Sequence, residues 1–301
     1  MNVDALVLVL LLLALGYACT RLRLFPDHAA EVLNQFALYL CLPAAILRHV
    51  PSLQFSADIA VVAVVPWLVL GLSVAAIVPI ARWLRLRDEE RAVLLLCVPL
   101  GNTSFLGYPL TEALLGRDAL PFAVIYDQFG SFLILTTWGL WVLARYGGDA
   151  RPTPTAMLRR IVRFPPFIAL VAALLVMPDE PPSMIANVLV KLSDTLLPVA
   201  VLAVGLTLKL RLPRDELAPL GAGLLLKLLA LPAAVFGLMT LMRSHGDAAD
   251  AIVLETAMPP MITAGALAIS HRLAPGLAAA LVGYGTVLSL ITLPLWALIT
   301  R

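Results

Sequence analysis

The chain has 301 residues, of which 61% are apolar and only 13% charged, about half the charged share of a soluble domain. A water-soluble protein of this length could not cover its surface with so few charges, which excludes an ordinary soluble enzyme or binding module. A net charge of +2 is too small to argue for a nucleic-acid partner.

A helix needs roughly 20 mainly apolar residues to cross the hydrocarbon core. Segments of that kind lie near 4–20, 29–48, 58–81, 91–115, 119–144, 160–177, 184–208, 216–242, 250–270 and 276–299. The sequence therefore predicts an all-α membrane protein with ten transmembrane spans and little chain left for any soluble domain. Span 1 reads as a retained helix and not as a signal peptide. Its first charge is Asp4, and Arg21 and Arg23 follow the apolar run.

Basic residues are sorted by loop. Of 21 Lys and Arg, 15 fall in the loops after odd-numbered spans, including Arg82, Arg85, Arg87 and Arg91, then Arg145, Arg151, Arg159, Arg160 and Arg163. The other side carries Arg48, Arg117, Arg243 and Arg301. By the positive-inside rule the first side is cytoplasmic and both termini face outward. The expected location is a bacterial inner membrane, with the lipid bilayer as the main partner.

The two halves, 1–150 and 151–301, echo each other. Ala92 to Pro99 in span 4 is similar to Ala251 to Pro259 in span 9, with one residue inserted. Leu42-Pro43 in span 2 is similar to Leu197-Pro198 in span 7, Pro66 with Gly71 in span 3 to Pro232 with Gly237 in span 8, and Phe129-Gly130-Ser131 in span 5 to Tyr284-Gly285-Thr286 in span 10. The four matches fall in sequence order, at offsets between 155 and 166 residues. Five spans per half is an odd number, so the second half must be inverted, as in many secondary transporters.

Spans 4 and 9 are expected to break. Span 4 contains Pro99-Leu100-Gly101-Asn102-Thr103-Ser104-Phe105-Leu106-Gly107-Tyr108-Pro109, and its counterpart in span 9 is Pro259-Pro260-Met261-Ile262-Thr263-Ala264-Gly265. Each proline removes an amide donor and crowds the preceding turn. Such breaks persist in lipid only where protein or a water-filled cavity satisfies the freed groups. A matched pair of interruptions points to a binding site, although prolines also kink membrane helices for packing alone. Half-helix N-termini at the breaks would present N–H groups to an anion. Asn102, Thr103, Ser104, Pro259, Pro260, Met261 and Thr263 are thus the candidate substrate contacts, and Pro43, Pro99, Pro109 and Pro198 the candidate helix breaks.

The stretch Asn102 to Pro109 resembles the signature of the auxin efflux carrier family, whose bacterial members include proteins named as malonate and malate transporters. Tyr126-Asp127-Gln128-Phe129, the Leu42-Pro43 site and the ten-span plan are similar to that family as well. The resemblance implies a fold shared with bile-acid/sodium symporters, in which spans 4 and 9 cross at their breaks. It also implies a scaffold domain beside a moving transport domain, a small organic anion as substrate, and a homodimer. About 15 residues, Arg145 to Arg159, stand where plant members carry a long cytoplasmic loop.

Ionisable residues at membrane depth are functional candidates by default. Asp127, next to Gln128, could gain and lose a proton during a cycle; otherwise it ties span 5 to span 4. Lys191 and Asp194 share a helix face and either neutralise each other or leave Asp194 lining a cavity. Glu255 is either a second proton site or faces an outer vestibule. Glu112 and Lys227 read as snorkelling side chains near span ends, Asn34 and Gln35 as interhelical hydrogen-bond partners, and Trp83 and Trp296 as interfacial anchors.

No enzyme motif emerges. His28, His49, His245 and His271 lack the spacing of a zinc protease, and Cys19, Cys41 and Cys97 fall in apolar stretches without a metal or redox pattern. A channel would favour repeated pore-lining rings. The reading is therefore a secondary active transporter of a small carboxylate, with no cofactor beyond a coupling H+ or Na+. A sodium-coupled symporter of a larger organic anion is the alternative.

Overall fold

The computed structural model describes residues 3–26, 28–51, 57–148, 153–178, 181–208, 210 and 214–301. Arg151, one of the loop charges, lies outside them. The described residues are helical and form no named strand. The helices are α1 (Val3–Arg21), α2 (Ala29–His49), α3 (Ala57–Trp83), α4 (Asp88–Cys97) and α5 (Tyr108–Leu114). They continue with α6 (Arg117–Tyr146), α7 (Pro154–Val162), α8 (Pro165–Leu175), α9 (Ser183–Thr207) and α10 (Leu217–Leu241). The last three are α11 (Asp247–Ala257), α12 (Ile262–Ser270) and α13 (Pro275–Thr300).

Among the described residues, six stretches are long and apolar enough to cross a membrane: Ala29–His49, Ile59–Trp83, Arg117–Tyr146, Ser183–Thr207, Leu217–Leu241 and Pro275–Thr300. Where the sequence predicts spans 1 and 6, the apolar helices Val7–Arg21 and Pro165–Leu175 are shorter. Where it predicts spans 4 and 9, two short helices flank an interruption each time.

Four helices end in the same way. Arg23, Arg85, Arg243 and Arg272 all sit at φ between 52° and 58°, the left-handed position that usually favours glycine. In each case the following residue donates five residues back: Leu24 to Cys19, Leu86 to Ala81, Ser244 to Met239 and Leu273 to Ala268, all at 2.9–3.0 Å. This is the Schellman arrangement. An arginine there places positive charge beside the negative end of the helix dipole.

Prolines shape the long helices without cutting them. π turns at Ala37–Cys41, Thr103–Gly107 and Leu226–Ala230 each end two residues before a proline, at Pro43, Pro109 and Pro232. The wider turn absorbs the missing amide. Pro43 and Pro109 therefore lie in helical chain, and α9 runs through Pro198 unbroken. The expectation of breaks at these three positions is corrected, because one lost donor does not end a helix that neighbouring helices hold on its other faces.

Two packing groups emerge. α1, α2, α8 and α9 pack mostly on one another, as do α3–α6 with α10–α13. Within the first group α1 crosses α9 backbone to backbone. A Cβ at Gly16 would stand 2.5 Å from Leu202 O, and one at Gly205 2.5 Å from Leu13 O, the small-residue contact by which helices associate in lipid. Gly205→Val is expected to cost about 1–3 kcal/mol through overpacking, read as a lower unfolding temperature in detergent. Gly71, with nothing within 4 Å of its would-be Cβ, should accept Ala with no such loss.

Candidate functional site

The two interruptions meet. Helix stops at Cys97 and resumes at Thr103; it stops again at Ala257 and resumes at Ile262. Between them, Asn102 N–H donates to Pro259 O at 2.8 Å and Met261 N–H to Leu100 O at 2.9 Å. The extended segments thus pair antiparallel at Gly101 and Pro260. Gly285 lets the crossing close, since a Cβ there would stand 2.5 Å from Pro260 Cδ.

Proline chemistry dictates what surrounds the crossing. Pro99, Pro259 and Pro260 have no amide hydrogen, so the carbonyls of Leu95, Glu255 and Thr256 lose the donors a continuing helix would supply. Other groups replace them. Trp138 Nε1 donates to Leu95 O at 2.9 Å, and Lys227 Nζ to Thr256 O at 3.1 Å. Met258 N–H reaches Glu255 O at 3.3 Å.

Polar side chains gather beside this crossing. Asp127 is buried, with four donors around its carboxylate. Thr103 Oγ1 donates to Oδ1, while Ser104 Oγ, Tyr108 OH and Gln128 Nε2 donate to Oδ2 at 2.7, 2.9 and 2.7 Å. An ionised carboxylate is acceptor-only, and the four donors divide unevenly, one at Oδ1 and three at Oδ2. Glu255 differs. Its Oε1 accepts from Thr111 Oγ1 at 2.8 Å, but its Oε2 is buried with no hydrogen-bond partner. That carboxylate fits only because position 107 is glycine, where a Cβ would stand 2.5 Å from Oε2.

Asn102 stands at the start of the second half-helix, with its side chain buried and its Nδ2 unpartnered. Gln128 Oε1 is unpartnered too. The amides of Thr103 and Ser104, and of Ile262 and Thr263, lie in first turns and have no partner four residues back. The N-termini of both second half-helices therefore converge on the crossing with a free side-chain amide beside them. Beyond Tyr108 opens a cavity of about 510 Å³, lined by Tyr108, Pro109, Glu112 and Arg117 on one side and by Ala45, Ser193, Asp194 and Pro198 on the other. It lies between the two packing groups. Ion pairs Arg48–Asp194 at 2.8 Å and Arg117–Glu112 at 2.9 Å border it.

Of the predicted site residues, Asn102, Thr103, Ser104, Asp127, Gln128, Glu255, Pro99, Pro259, Pro260 and Met261 come together at the crossing. Thr263 does not: it is exposed, because Ala264 and Ala268 take the buried face of α12. Asp194 lines the cavity, paired with Arg48 and not with Lys191, which is exposed. Asn34 Oδ1 has no hydrogen-bond partner, and Gln35 is exposed. Trp83 is 81% exposed, in keeping with an interfacial position. Trp296 is buried, and its Nε1 donates at 2.9 Å to Leu228 O, whose helical donor would be the absent amide of Pro232. Lys227 overturns the snorkelling expectation outright, being 1% exposed at the crossing. Nothing in the sequence separately singles out Thr111 or Thr256, and Lys227 reads there as a span-end residue. The available signal was its position near the middle of predicted span 8.

A helical, multi-pass membrane protein with a buried polar site at a crossing of broken helices belongs to the class of membrane transporters. A family model described as membrane transport protein matches residues 2–297, and the chain belongs to that family, the auxin efflux carriers. It is 28% identical over 301 residues to an "uncharacterized transporter" of Methanothermobacter thermautotrophicus, covering 99% of this chain and 98% of that one. It is 25% identical over 302 residues to an "uncharacterized transporter" of Methanocaldococcus jannaschii, with 97% of each chain covered. A "putative malonate transporter" of Rhizobium meliloti is 31% identical over 258 residues, covering 82% of this chain and 78% of that protein.

The Gly107–Glu255 contact gives a direct test of the site's packing. Gly107→Ala is expected to push the Glu255 carboxylate off Thr111 and cost about 1–3 kcal/mol, measured by thermal unfolding in detergent. An unchanged unfolding temperature would mean that this carboxylate is not fixed.

Proposed function

We propose that the protein is a secondary active transporter that moves a small carboxylate, of dicarboxylate or auxin-like type, across a bacterial inner membrane by alternating access. The observation that carries the reading is the crossing itself. Two half-helix N-termini and the unpartnered Asn102 amide converge on it. Orphan N–H groups and the positive end of the helix dipole attract negative charge, and an amide donor fixes its orientation. The "putative malonate transporter" name of one relative points to the same substrate class.

In this proposal the halves 1–150 and 151–301 are inverted repeats of five spans each, with both termini outside. The group α1, α2, α8 and α9 is the static part, the remaining helices move, and the substrate passes by way of the 510 Å³ cavity between them. Asp127 holds the hydroxyls of Thr103, Ser104 and Tyr108 in place. Glu255, with one free oxygen, carries the coupled proton.

Solid-supported-membrane electrophysiology on purified protein in proteoliposomes tests this, with malonate, malate and indole-3-acetate jumps and counterflow of labelled acids to register electroneutral exchange. Asn102→Ala should weaken substrate binding about tenfold to a hundredfold, from losing a hydrogen bond to a charged group worth about 1.5–3 kcal/mol. Wild-type affinity in that variant would remove Asn102 from the site. Glu255→Gln should flatten the pH dependence of transport, whereas an unaltered pH profile would take the proton away from Glu255.

A further inference from the structure

Lys227 has no part in the function proposed so far. Its stem leaves α10 at the π turn Leu226–Ala230, and its ammonium ends inside the crossing. There it donates to Thr256 O at 3.1 Å and stands 3.1 Å from where a Cβ on Gly101 would be. That point is the C-terminal end of α11, where Pro259 and Pro260 have removed two amide donors in succession. The end of a helix carries partial negative charge on its unpaired carbonyls. In broken-helix transporters such carbonyls are the usual ligands of a free coupling cation. Here a covalently attached ammonium already takes one of them, Thr256 O. A charge at this depth is costly to bury, and Gly101 keeps room for it.

We propose that the Lys227 ammonium is a tethered cation, taking at the C-terminal end of α11 the place that a dissociable ion such as sodium would otherwise take, so that the carrier works without an alkali-metal ion. This rests on the transporter reading above and names what fills the cation position at the break. It gives Gly101 a purpose as well, because any side chain there would press on the ammonium.

Removing the ammonium should create a dependence on a dissolved one. Lys227→Ala deletes three methylenes and the nitrogen, the shape of propylammonium. Lys227→Met keeps the stem but leaves the nitrogen position open, the size of an ammonium ion. With purified full-length protein, Lys227→Ala should show an unfolding temperature that rises saturably with propylammonium chloride, and Lys227→Met one that rises with ammonium chloride. Wild type should respond to neither beyond the effect of choline chloride. In proteoliposomes wild-type flux should be the same in sodium and in choline. Flux of the variants should fall at least tenfold and return with the matching amine. Propanol, of similar shape and uncharged, should restore nothing.

Equal rescue by propanol would reduce Lys227 to packing and overturn the proposal. So would a wild-type flux that requires sodium, or folded variants whose stability ignores the amines. The thermal measurement stands whether or not any carboxylate is carried, so a failed substrate assignment and a failed cation assignment give different results.

Discussion

Unpaired backbone groups are what this molecule is organised around. In hydrocarbon no water can satisfy a carbonyl that has lost its helical donor, and the chain creates such carbonyls wherever a proline enters a helix. The replies come from other helices. Trp138 serves Leu95, Trp296 serves Leu228, and Lys227 serves Thr256. Each pairs a carbonyl with a donor distant in sequence, so each both repairs a helix and ties two helices together. The crossing of the two interruptions is the largest instance, because there two broken backbones supply each other with donors.

The charged side chains follow from that arrangement. Two buried carboxylates lie near the crossing in unlike environments. Asp127 accepts from Thr103, Ser104, Tyr108 and Gln128 and so ties these side chains together. Glu255 keeps one oxygen without a partner and leans against a glycine. The two groups are therefore held differently, one by four donors and the other by the Thr111 hydroxyl. The cavity beyond Tyr108 is bordered by two ion pairs, and the exposure of Asp194 makes the Arg48 pair worth little as a stabilising contact.

Glycine marks where backbones must approach. Gly16 and Gly205 let α1 and α9 touch, Gly107 admits Glu255, and Gly285 admits Pro260. These contacts are distributed over both packing groups and over the junction of the helix breaks. Helix packing and the junction of the breaks are thus built from the same device, close contact at a residue without a side chain.

The sequence by itself determined the membrane class, the position of nearly every helix, and the two proline-dense interruptions. These are local matters: hydropathy over about 20 residues sets a span, and a proline removes its own amide wherever it stands. The stretches Asn102 to Pro109 and Tyr126 to Phe129 stood out as polar residues inside apolar runs, which are visible in one dimension, and the structure brings side chains of both beside the crossing. Only the tertiary structure decided which breaker actually breaks. Pro198 and Pro43 stay in helix, while Pro99 and Pro259 do not, because that outcome depends on what neighbouring helices offer the freed carbonyl. It also decided direction. Thr263 turns outward, Trp296 and Lys227 turn inward, and Asp194 finds Arg48 in another helix in place of Lys191 in its own. Rotation of a helix about its axis and the identity of its neighbour are set by packing across the whole molecule, and no window of sequence contains them.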